Sequence, residues 1–393
     1  MKLLDAVEGR SIVVVLGNGG VGKTTVASAV ALLAARAGRR VLVVTVDPSN
    51  RLKQSLGLSG RPGVEESVSL PDADRDGRIG SLHAMILDAA TEMDRLVKRL
   101  VPDAGDRARI TDNVFYRKAA SYMAGTHEYM AMERLLEAHE SGRYDLIVLD
   151  TPPERHALDF LDAPARLGGL LSSEVFRLFV TASSGLSRLG LGALRWRSVI
   201  LKGISRFAGE ETFLAILDFV LAFQPMFDGF RHRAEKVGSW FIGPGCATMV
   251  VCRPGRRCAG EVRATMDALE GRSVAPAAIV ANRVRVWPPP GSAGQGVGPV
   301  DLATLAGALE SNPAMSLAGR DEITDLAKRT IDLANRYRDL TKEDCEHLVA
   351  LRAVAGSTPV FEIPLLKGEV SDLESLAGFA RVVDEARWSF RPT

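Results

Sequence analysis

The sequence predicts an α/β protein with a doubly wound, mostly parallel sheet and an inserted helical subdomain. Short apolar runs recur along its 393 residues, and helix-periodic segments separate them. Most of these runs are apolar and β-branched on both faces, which is typical of strands covered by helices on two sides. The predicted strands are 12–16, 41–46, 82–87, 146–149, 248–252, 277–281 and 360–363. Strands that alternate with helices favour a parallel sheet.

Helical periodicity fills the stretches between these strands. Residues 24–37 form one predicted helix, which Gly38 ends in the position that a helix C-cap favours. Two longer stretches, 89–140 and 157–243, are helix-periodic and almost free of strands. They flank the strand at 146–149, so we expect them to form one helical subdomain inserted into the sheet domain.

The composition is that of a globular protein. Hydrophobic residues make up 46% and charged residues 25%, which excludes a disordered chain. The 49 Lys and Arg residues balance 48 Asp and Glu residues, giving a formal net charge of +1. Such a balance gives no electrostatic reason to expect nucleic acid as a partner.

The sequence also indicates a compartment. Four cysteines are too few for a disulfide scaffold, which favours a reducing environment. The N-terminus has acidic residues where a signal peptide would be basic, and the apolar stretch 213–227 is shorter than the ~18 residues of a spanning helix. We therefore expect a soluble cytoplasmic protein, and peripheral work at a membrane stays open.

A phosphate-binding loop follows the first predicted strand. Residues 17–24, GNGGVGKT, match G-x-x-x-x-G-K-[ST] between a strand and a helix, the context that this motif requires. The glycines let backbone N–H groups turn inward around phosphates, Lys23 reaches the β- and γ-phosphates, and Thr24 places its hydroxyl on Mg²⁺. A chance glycine-rich turn is the alternative. The predicted ATP-binding residues here are Gly19, Gly20, Val21, Gly22, Lys23, Thr24 and Thr25.

Two acidic residues follow later strands. Asp150 ends the strand that starts at residue 146, where such an acid holds Mg²⁺ through water; the alternative is an ordinary acidic turn. Asp47 follows the second strand, at the edge of the sheet that faces a nucleotide. We expect Asp47 to position the attacking water, although Asp47 followed by Pro48 also suits a helix N-cap.

The ordered motifs resemble the ArsA-type branch of the P-loop dimeric ATPases, which includes arsenical-pump ATPases and targeting ATPases for tail-anchored membrane proteins. They are GNGGVGKTT at 17–25, VDPSN at 46–50, LDTPPERHALDFLDAP at 149–164 and IVANR at 279–283. The segment AGTHEYMAME at 124–133 is most similar to ArsA-like proteins of the actinobacterial style.

The resemblance implies a nucleotide-gated dimer with a helical cap over an ATPase core. It implies that Asp47 is the catalytic water-positioning residue beside Lys23, that residues 150–156 form the second switch, that Asn282 reads adenine and that Pro364 borders it. The implied division is ATPase core at 1–88, 141–156 and 244–393, with the helical subdomain at 89–140 and 157–243.

Three positions depart from the family pattern. The first P-loop lysine, which crosses the dimer, is Asn18 here, and the Cys-x-x-Cys that clasps some relatives through zinc is missing. An acidic residue that some relatives use near the nucleotide aligns with Gly255. We therefore expect no zinc, and the dimer partner is either a second copy or an ArsA-like paralogue.

Other residues suggest weaker sites. Cys246, Cys252 and Cys258 could bind arsenite as thiolates, but a cysteine at the end of a buried strand is usually a small hydrophobe. His127 and His156 lack ligand-spaced partners, so we do not expect a metal there. The arginines at 253, 256 and 257 favour solvated surface over a phosphate or partner contact.

These observations predict a Mg²⁺-dependent ATPase whose hydrolysis cycle drives conformational change. The implied task is the targeting or handling of a hydrophobic or membrane-protein client. The main alternative is an ATP-binding regulatory subunit of a heterodimer with weak hydrolysis of its own. An arsenite-pump motor is a further alternative, disfavoured by the few cysteines.

Overall fold

The computed structural model describes residues 1–46, 51–70, 80–113, 116, 126–152, 162, 227–289, 301–315 and 319–386. Within them, one sheet has the strand order β3-β4-β2-β5-β1-β6-β7-β8. The strands are β1 (Ile12–Leu16), β2 (Arg40–Thr45), β3 (Glu66–Val68), β4 (Ser81–Ile86), β5 (Leu146–Asp150), β6 (Cys246–Cys252), β7 (Pro276–Val284) and β8 (Val360–Pro364). Only β3 is antiparallel to its neighbour.

The predicted fold class is confirmed, since the sheet is mostly parallel and the chain crosses it in both directions from β1. All seven predicted strands are present, with ends shifted by at most three residues. The short edge strand β3 was not predicted. Its three residues, Glu66–Val68, are too few to show an apolar pattern.

Helices cover both faces of the sheet. They are α1 (Lys23–Arg36), α2 (Arg51–Leu56), α3 (Ala89–Leu100), α4 (Ala104–Thr111), α5 (Thr126–Glu140), α6 (Phe227–Ile242), α7 (Cys258–Glu270), α8 (Leu302–Glu310), α9 (Arg320–Ala355) and α10 (Leu373–Glu385). The helices α1, α2 and α10 share one apolar core with the sheet, and α3 to α7 and the end of α9 share the other. Among the described residues, none of these helices is both long and apolar enough to cross a bilayer.

The sequence of β1 does not alternate between polar and apolar residues, because both faces of the strand are buried. Val13 and Val15 point into the core beneath α1, while Ile12, Val14 and Leu16 point into the opposite core. All five are at most 1% exposed, so both faces must be apolar.

The helix α1 ends one residue earlier than predicted and is terminated by the predicted glycine. Gly38 has φ +89°, its N–H donates to the Ala35 carbonyl at 3.0 Å, and the Arg39 N–H donates to the Ala34 carbonyl at 3.1 Å. These two bonds form a Schellman cap, which satisfies carbonyls that the helix leaves open.

A buried ionic network joins α5 to its neighbours. Glu133 accepts hydrogen bonds from Arg99 of α3 at 3.1 Å and from Arg233 of α6 at 2.5 Å. Burial raises the pKa of Glu133, and both guanidinium groups oppose that rise. Tyr129, one turn earlier, is 1% exposed in the core. The described part of the 124–133 segment therefore packs α3, α5 and α6 together.

The described helices of the predicted helical subdomain lie on one face of the sheet. Residues 89–113 and 126–140 share an apolar core there with residues 227–242 of α6. Most of the predicted second part, including the apolar stretch at 213–226, lies outside the described residues. Within the stretch 244–393, which the sequence assigned to the core, α8 and α9 pair with each other, and α8 has no buried residue.

Candidate nucleotide-binding site

The predicted phosphate loop lies at the carboxyl edge of the sheet. Residues 17–22 leave β1, and α1 begins at Lys23. Gly17, Gly20 and Gly22 have φ angles of +147°, +78° and +97°, which side-chain-bearing residues rarely adopt. The turn therefore has the backbone of an anion-binding loop that opens onto a helix N-terminus.

Two of these glycines touch neighbouring parts of the chain. A Cβ atom on Gly17 would lie 2.1 Å from the Val251 carbonyl oxygen, and one on Gly22 would lie 2.3 Å from Asn282 Nδ2. Strand β6 and the end of β7 thus form the wall against which the loop is packed.

Asn282 holds the loop directly. Its Nδ2 donates to the Val21 carbonyl at 2.8 Å, and its Oδ1 accepts from the Arg283 N–H at 3.0 Å. The side chain is 3% exposed. The resemblance to the ArsA-type ATPases implies that Asn282 reads adenine. Its contact with the phosphate loop was not predicted, because 261 residues separate it from Val21.

Replacing Gly22 with alanine should therefore damage the loop more than replacing Gly20. Both glycines have positive φ, so both substitutions strain the backbone, but the space around Gly20 is open. We expect Gly22→Ala to lower ATP affinity at least about tenfold more than Gly20→Ala in calorimetry, a difference of ~1.4 kcal/mol.

The double variant Gly22→Ala with Asn282→Ala is the matched test of this contact. If the amide is the obstacle, the second substitution should recover part of the lost affinity. Equal effects of the two glycine variants, with no recovery, would show that strain alone acts.

Lys23 bends back over the loop. Its ammonium donates to the Asn18 carbonyl at 2.9 Å, and the residue is 8% exposed. A buried ammonium held at the mouth of inward-turned N–H groups is suited to a polyanion. Asn18 contributes this carbonyl and carries no charge.

Asp150, the last residue of β5, accepts hydrogen bonds from two hydroxyl groups, one at the start of α1 and one at the end of β2. Thr24 Oγ1 donates to Asp150 Oδ2 at 2.7 Å, and Thr45 Oγ1 donates to the same oxygen at 3.0 Å. Asp150 is fully buried. Sequence reasoning paired Thr24 with Asp150 in function but missed Thr45. The available signal was a hydroxyl residue ending the second strand, two positions before Asp47.

These residues fit Mg²⁺ carried by a nucleotide. A carboxylate, a hydroxyl and the mouth of a phosphate loop meet at one point, and magnesium in such sites takes one or two protein oxygens together with phosphates and water. The 2.7 Å separation of Thr24 Oγ1 and Asp150 Oδ2 brings both oxygens within reach of one hydrated ion.

A backbone hydrogen bond joins the residue before Asp47 to Asp150, the start of the predicted second switch, residues 150–156. The Val46 N–H donates to the Asp150 carbonyl at 3.3 Å, and Thr151 Oγ1 donates to the Val15 carbonyl at 2.7 Å. Asp47 itself lies outside the described residues, as do residues 153–156. Asp47 is nevertheless one residue from a backbone bond to Asp150.

One later residue of the motif at 149–164, Asp162, contacts a different part of the chain. Asp162 accepts two hydrogen bonds from Arg272, at 2.7 Å from Nε and 2.6 Å from Nη2. This bidentate pair fastens Asp162 to Arg272, which follows α7, a contact that the sequence did not indicate.

Pro364 lies at the end of β8, next to the end of β7. It pairs with Val284, and the Leu365 N–H donates to the Val284 carbonyl at 2.7 Å. Pro364 therefore ends β8 beside β7, in which Asn282 lies two residues before the last residue. Gly19 is exposed at the tip of the loop and Thr25 is partly buried in the first turn of α1.

The cysteines do not form a three-thiol site among the described residues. Cys252 and Cys258 are in thiol–thiol contact, and that hydrogen bond, together with burial, raises the pKa of Cys252. Cys246 lies at the other end of β6, ~20 Å from Cys252 at the rise of a strand. In this part of the chain no three His, Cys, Asp or Glu side chains come together.

The other residues that suggested weaker sites, three arginines and two histidines, do not lie in the nucleotide site as far as the structure describes them. Arg253, Arg256 and Arg257 are exposed after β6. The side chain of His127 and all of His156 lie outside the described residues. Glu261 of α7 was not predicted, but it lines a cleft beside the loop together with Gly17 and Asn18.

Comparison with known proteins finds a family model and relatives that are named ATPases. Residues 10–190 match the family model described as anion-transporting ATPase. The chain is 26% identical to ATPase GET3 of Malassezia globosa over 278 residues, 70% of this chain and 73% of that protein. It is 30% identical to an ATPase ASNA1 homolog of Leishmania major over 207 residues, 45% and 50% of the two chains. It is 27% identical to ATPase ASNA1 homolog 2 of Paramecium tetraurelia over 154 residues, 38% and 42%.

The chain spans half or less of the Leishmania and Paramecium relatives that it matches. The segment matched by the family model includes the phosphate loop with Lys23 and Thr24, together with Thr45 and Asp150. The predicted resemblance is therefore confirmed for residues 10–190, which match the anion-transporting ATPase model, and the relatives found are named ATPases.

Proposed function

We propose that this chain couples the binding and hydrolysis of Mg·ATP to a conformational cycle that targets or handles a hydrophobic or membrane-protein client. The observation that carries the proposal is the buried cluster of Thr24, Thr45 and Asp150 beneath the phosphate loop. The cluster joins the loop to the strands that lead into both predicted switches.

Each side chain has a specific task in the proposed reaction. Backbone N–H groups of residues 19–25 surround the phosphates, and Lys23 exchanges its bond to the Asn18 carbonyl for the β- and γ-phosphates. Thr24 and Asp150 would hold Mg²⁺, Thr24 through its hydroxyl and Asp150 through water, and the ion would supply positive charge to the transferred phosphoryl group. Asp47 positions the attacking water, and Asn282 and Pro364 border the adenine.

The same contacts make the site a switch. Contact between the γ-phosphate and Asp47 would order residues 47–50, which begin one residue after the Val46–Asp150 backbone bond. Residues 151–156 continue directly from Asp150. Loss of the γ-phosphate after hydrolysis would release both segments.

The proposed readout is the helical subdomain, residues 89–140 and 157–243, on the core formed by 1–88, 141–156 and 244–393. Glu133 ties α5, which precedes β5, to α6 of the later part. Movement of the second switch can therefore reach both parts of the subdomain. The proposed setting is the cytoplasm, where a homo- or heterodimer meets its client, with peripheral membrane work left open.

The variant Asp47→Asn tests this cycle. An amide cannot accept the proton of the attacking water, so hydrolysis should fall about 10²-fold or more while ATP affinity stays within a few-fold. With ATP bound, hydrogen exchange of the variant should show lasting protection at 46–50 and 151–156. The wild type should show it only until turnover is complete.

Lys23→Ala is the control that should show no protection at all. The trapped variant should also retain a hydrophobic client in affinity purification that the control loses. Failure of Asp47→Asn to bind ATP would assign Asp47 a structural role, and unchanged exchange in both switches would overturn the conformational cycle.

Asn18 favours a second candidate, an ATP-binding regulatory subunit with weak hydrolysis of its own. Its uncharged side chain stands where the family has a lysine that crosses the dimer. Such a subunit would turn over ATP only when a paralogue supplied the missing cation. Single-turnover hydrolysis with and without a paralogue separates the two candidates.

A further inference from the structure

The helix α9 extends beyond the body of the protein. It has 36 residues and so measures ~54 Å. Its final third packs on the sheet through Leu348, Leu351 and Ala355, all buried. Asp344, also buried, accepts hydrogen bonds from the Arg285 backbone N–H at 2.8 Å and its side chain at 2.6 Å. These contacts fix the rotation of the whole helix.

The apolar face of α9 continues past this anchored part into solvent. Leu326, Leu333 and Leu340 are 39%, 68% and 38% exposed. Their spacing of seven residues keeps them within ~20° of one line, and Leu351 lies about five full turns from Leu333 on that same line. Further along the helix, α8 pairs with α9, and Ile323 and Ala327 are buried, but the three leucines beside them stay partly or mostly exposed.

A charged row runs beside this leucine stripe. The dipeptide Asp-Leu recurs at 325, 332 and 339, and arginines follow at 329 and 336. Between the exposed acids Glu322 and Asp339, the row alternates in sign as Asp325, Arg329, Asp332, Arg336. Arg329 and Asp325 pair within the helix at 2.6 Å. If these four central residues are taken in reverse order, each has the opposite charge; the acids at the two ends do not share this complementarity.

We propose that the leucine stripe of α9 is an interface for α9 of a second copy of this chain, packed antiparallel. In that arrangement Asp325 faces Arg336 of the other copy and Arg329 faces its Asp332, twice each by symmetry. The same register puts Leu326 beside Leu333 of the other copy. An isologous contact of this kind needs one surface only, and the row supplies its own complement.

The proposed contact does not rest on the nucleotide site. It involves one exposed helix face in each copy, less than the ~800 Å² that each partner buries in a standard interface. The association should therefore be weak, dependent on protein concentration, and present without ATP. It should also weaken in high salt, because its charged pairs are exposed.

Sedimentation velocity of the full chain without nucleotide, over a concentration series, tests the proposal. Leu333→Asp should raise the dimer dissociation constant at least about tenfold. Val349→Asp is the matched control: Val349 is 61% exposed on the same helix, and 16 residues put it about 160° from Leu333. This control should leave the dissociation constant unchanged.

Reversing the charges at two positions tests whether the partner of the leucine stripe is α9 of a second copy. Arg336→Asp should weaken the dimer, and Asp325→Arg combined with Arg336→Asp should restore it, because those two positions face each other only between copies. A wild-type chain that stays monomeric at all concentrations would overturn the proposal. So would Leu333→Asp unfolding a monomer at lower temperature than Val349→Asp, since the chain would then cover its own stripe. Equal dissociation constants for all variants would place the dimer contact elsewhere.

Discussion

Replacing Lys23 with alanine should nearly abolish ATP turnover and weaken ATP binding at least about tenfold. The ammonium already lies in the loop, 2.9 Å from the Asn18 carbonyl and largely shielded from water. Charge-assisted contacts of this kind contribute ~1.5–3 kcal/mol each, and the same cation stabilises the transferring phosphoryl group. Turnover should therefore fall much further than affinity.

Calorimetry with Mg·ATP and a coupled hydrolysis assay measure the two effects. Lys98→Ala removes an exposed lysine of α3 and is the matched control, expected to leave both unchanged. Thermal unfolding without nucleotide should be similar for the two variants. Wild-type ATP affinity in Lys23→Ala would refute the assignment of the nucleotide site.

Replacing Asn18 with lysine should accelerate hydrolysis by a dimer of this chain. A cation inserted at the transferring phosphate contributes ~10³–10⁵ in rate, and an amide cannot supply that charge. Asn18 uses its backbone carbonyl to bind Lys23, so the substitution leaves that contact intact. We expect slow turnover by the wild type and a gain of at least about 10²-fold in Asn18→Lys, with little change in ATP affinity.

The same hydrolysis assay distinguishes two alternative sources of the cation. An ArsA-like paralogue with an intact lysine could supply it in trans, and mixing it with the wild-type chain should then restore turnover. Arg155, which lies outside the described residues, could supply it within the chain, and Arg155→Ala would then abolish turnover. Rapid hydrolysis by the wild type alone that survives Arg155→Ala would contradict this account of Asn18.

The sequence was most informative where structure depends on neighbouring residues. The apolar runs identified all seven long strands, and the glycines with Lys23 and Thr24 identified the loop between β1 and α1. Gly38 predicted the end of α1 through its backbone freedom alone. Each of these features is decided by periodicity or by steric limits within a few residues.

Contacts between distant residues were not predictable from those patterns. Val21 and Asn282 are 261 residues apart, and Thr45 and Asp150 are 105 apart. Neither pair has a local signal beyond a polar residue at a strand end. The sheet order brings them together, because β2 lies beside β5, and only β6 lies between β1 and β7.

The leucines of α9 also show the difference between what a local sequence pattern indicates and what long-range packing decides. Leu326, Leu333 and Leu340 have the pattern of a helix face that packs on a core, as Leu348 and Leu351 do. The seven-residue spacing of these leucines in the sequence is compatible with one face of a helix, although the helix itself was not predicted. Only the tertiary structure decided which part of that face is buried, because burial depends on where the sheet ends, and the position of that edge is set by strand pairing far along the chain.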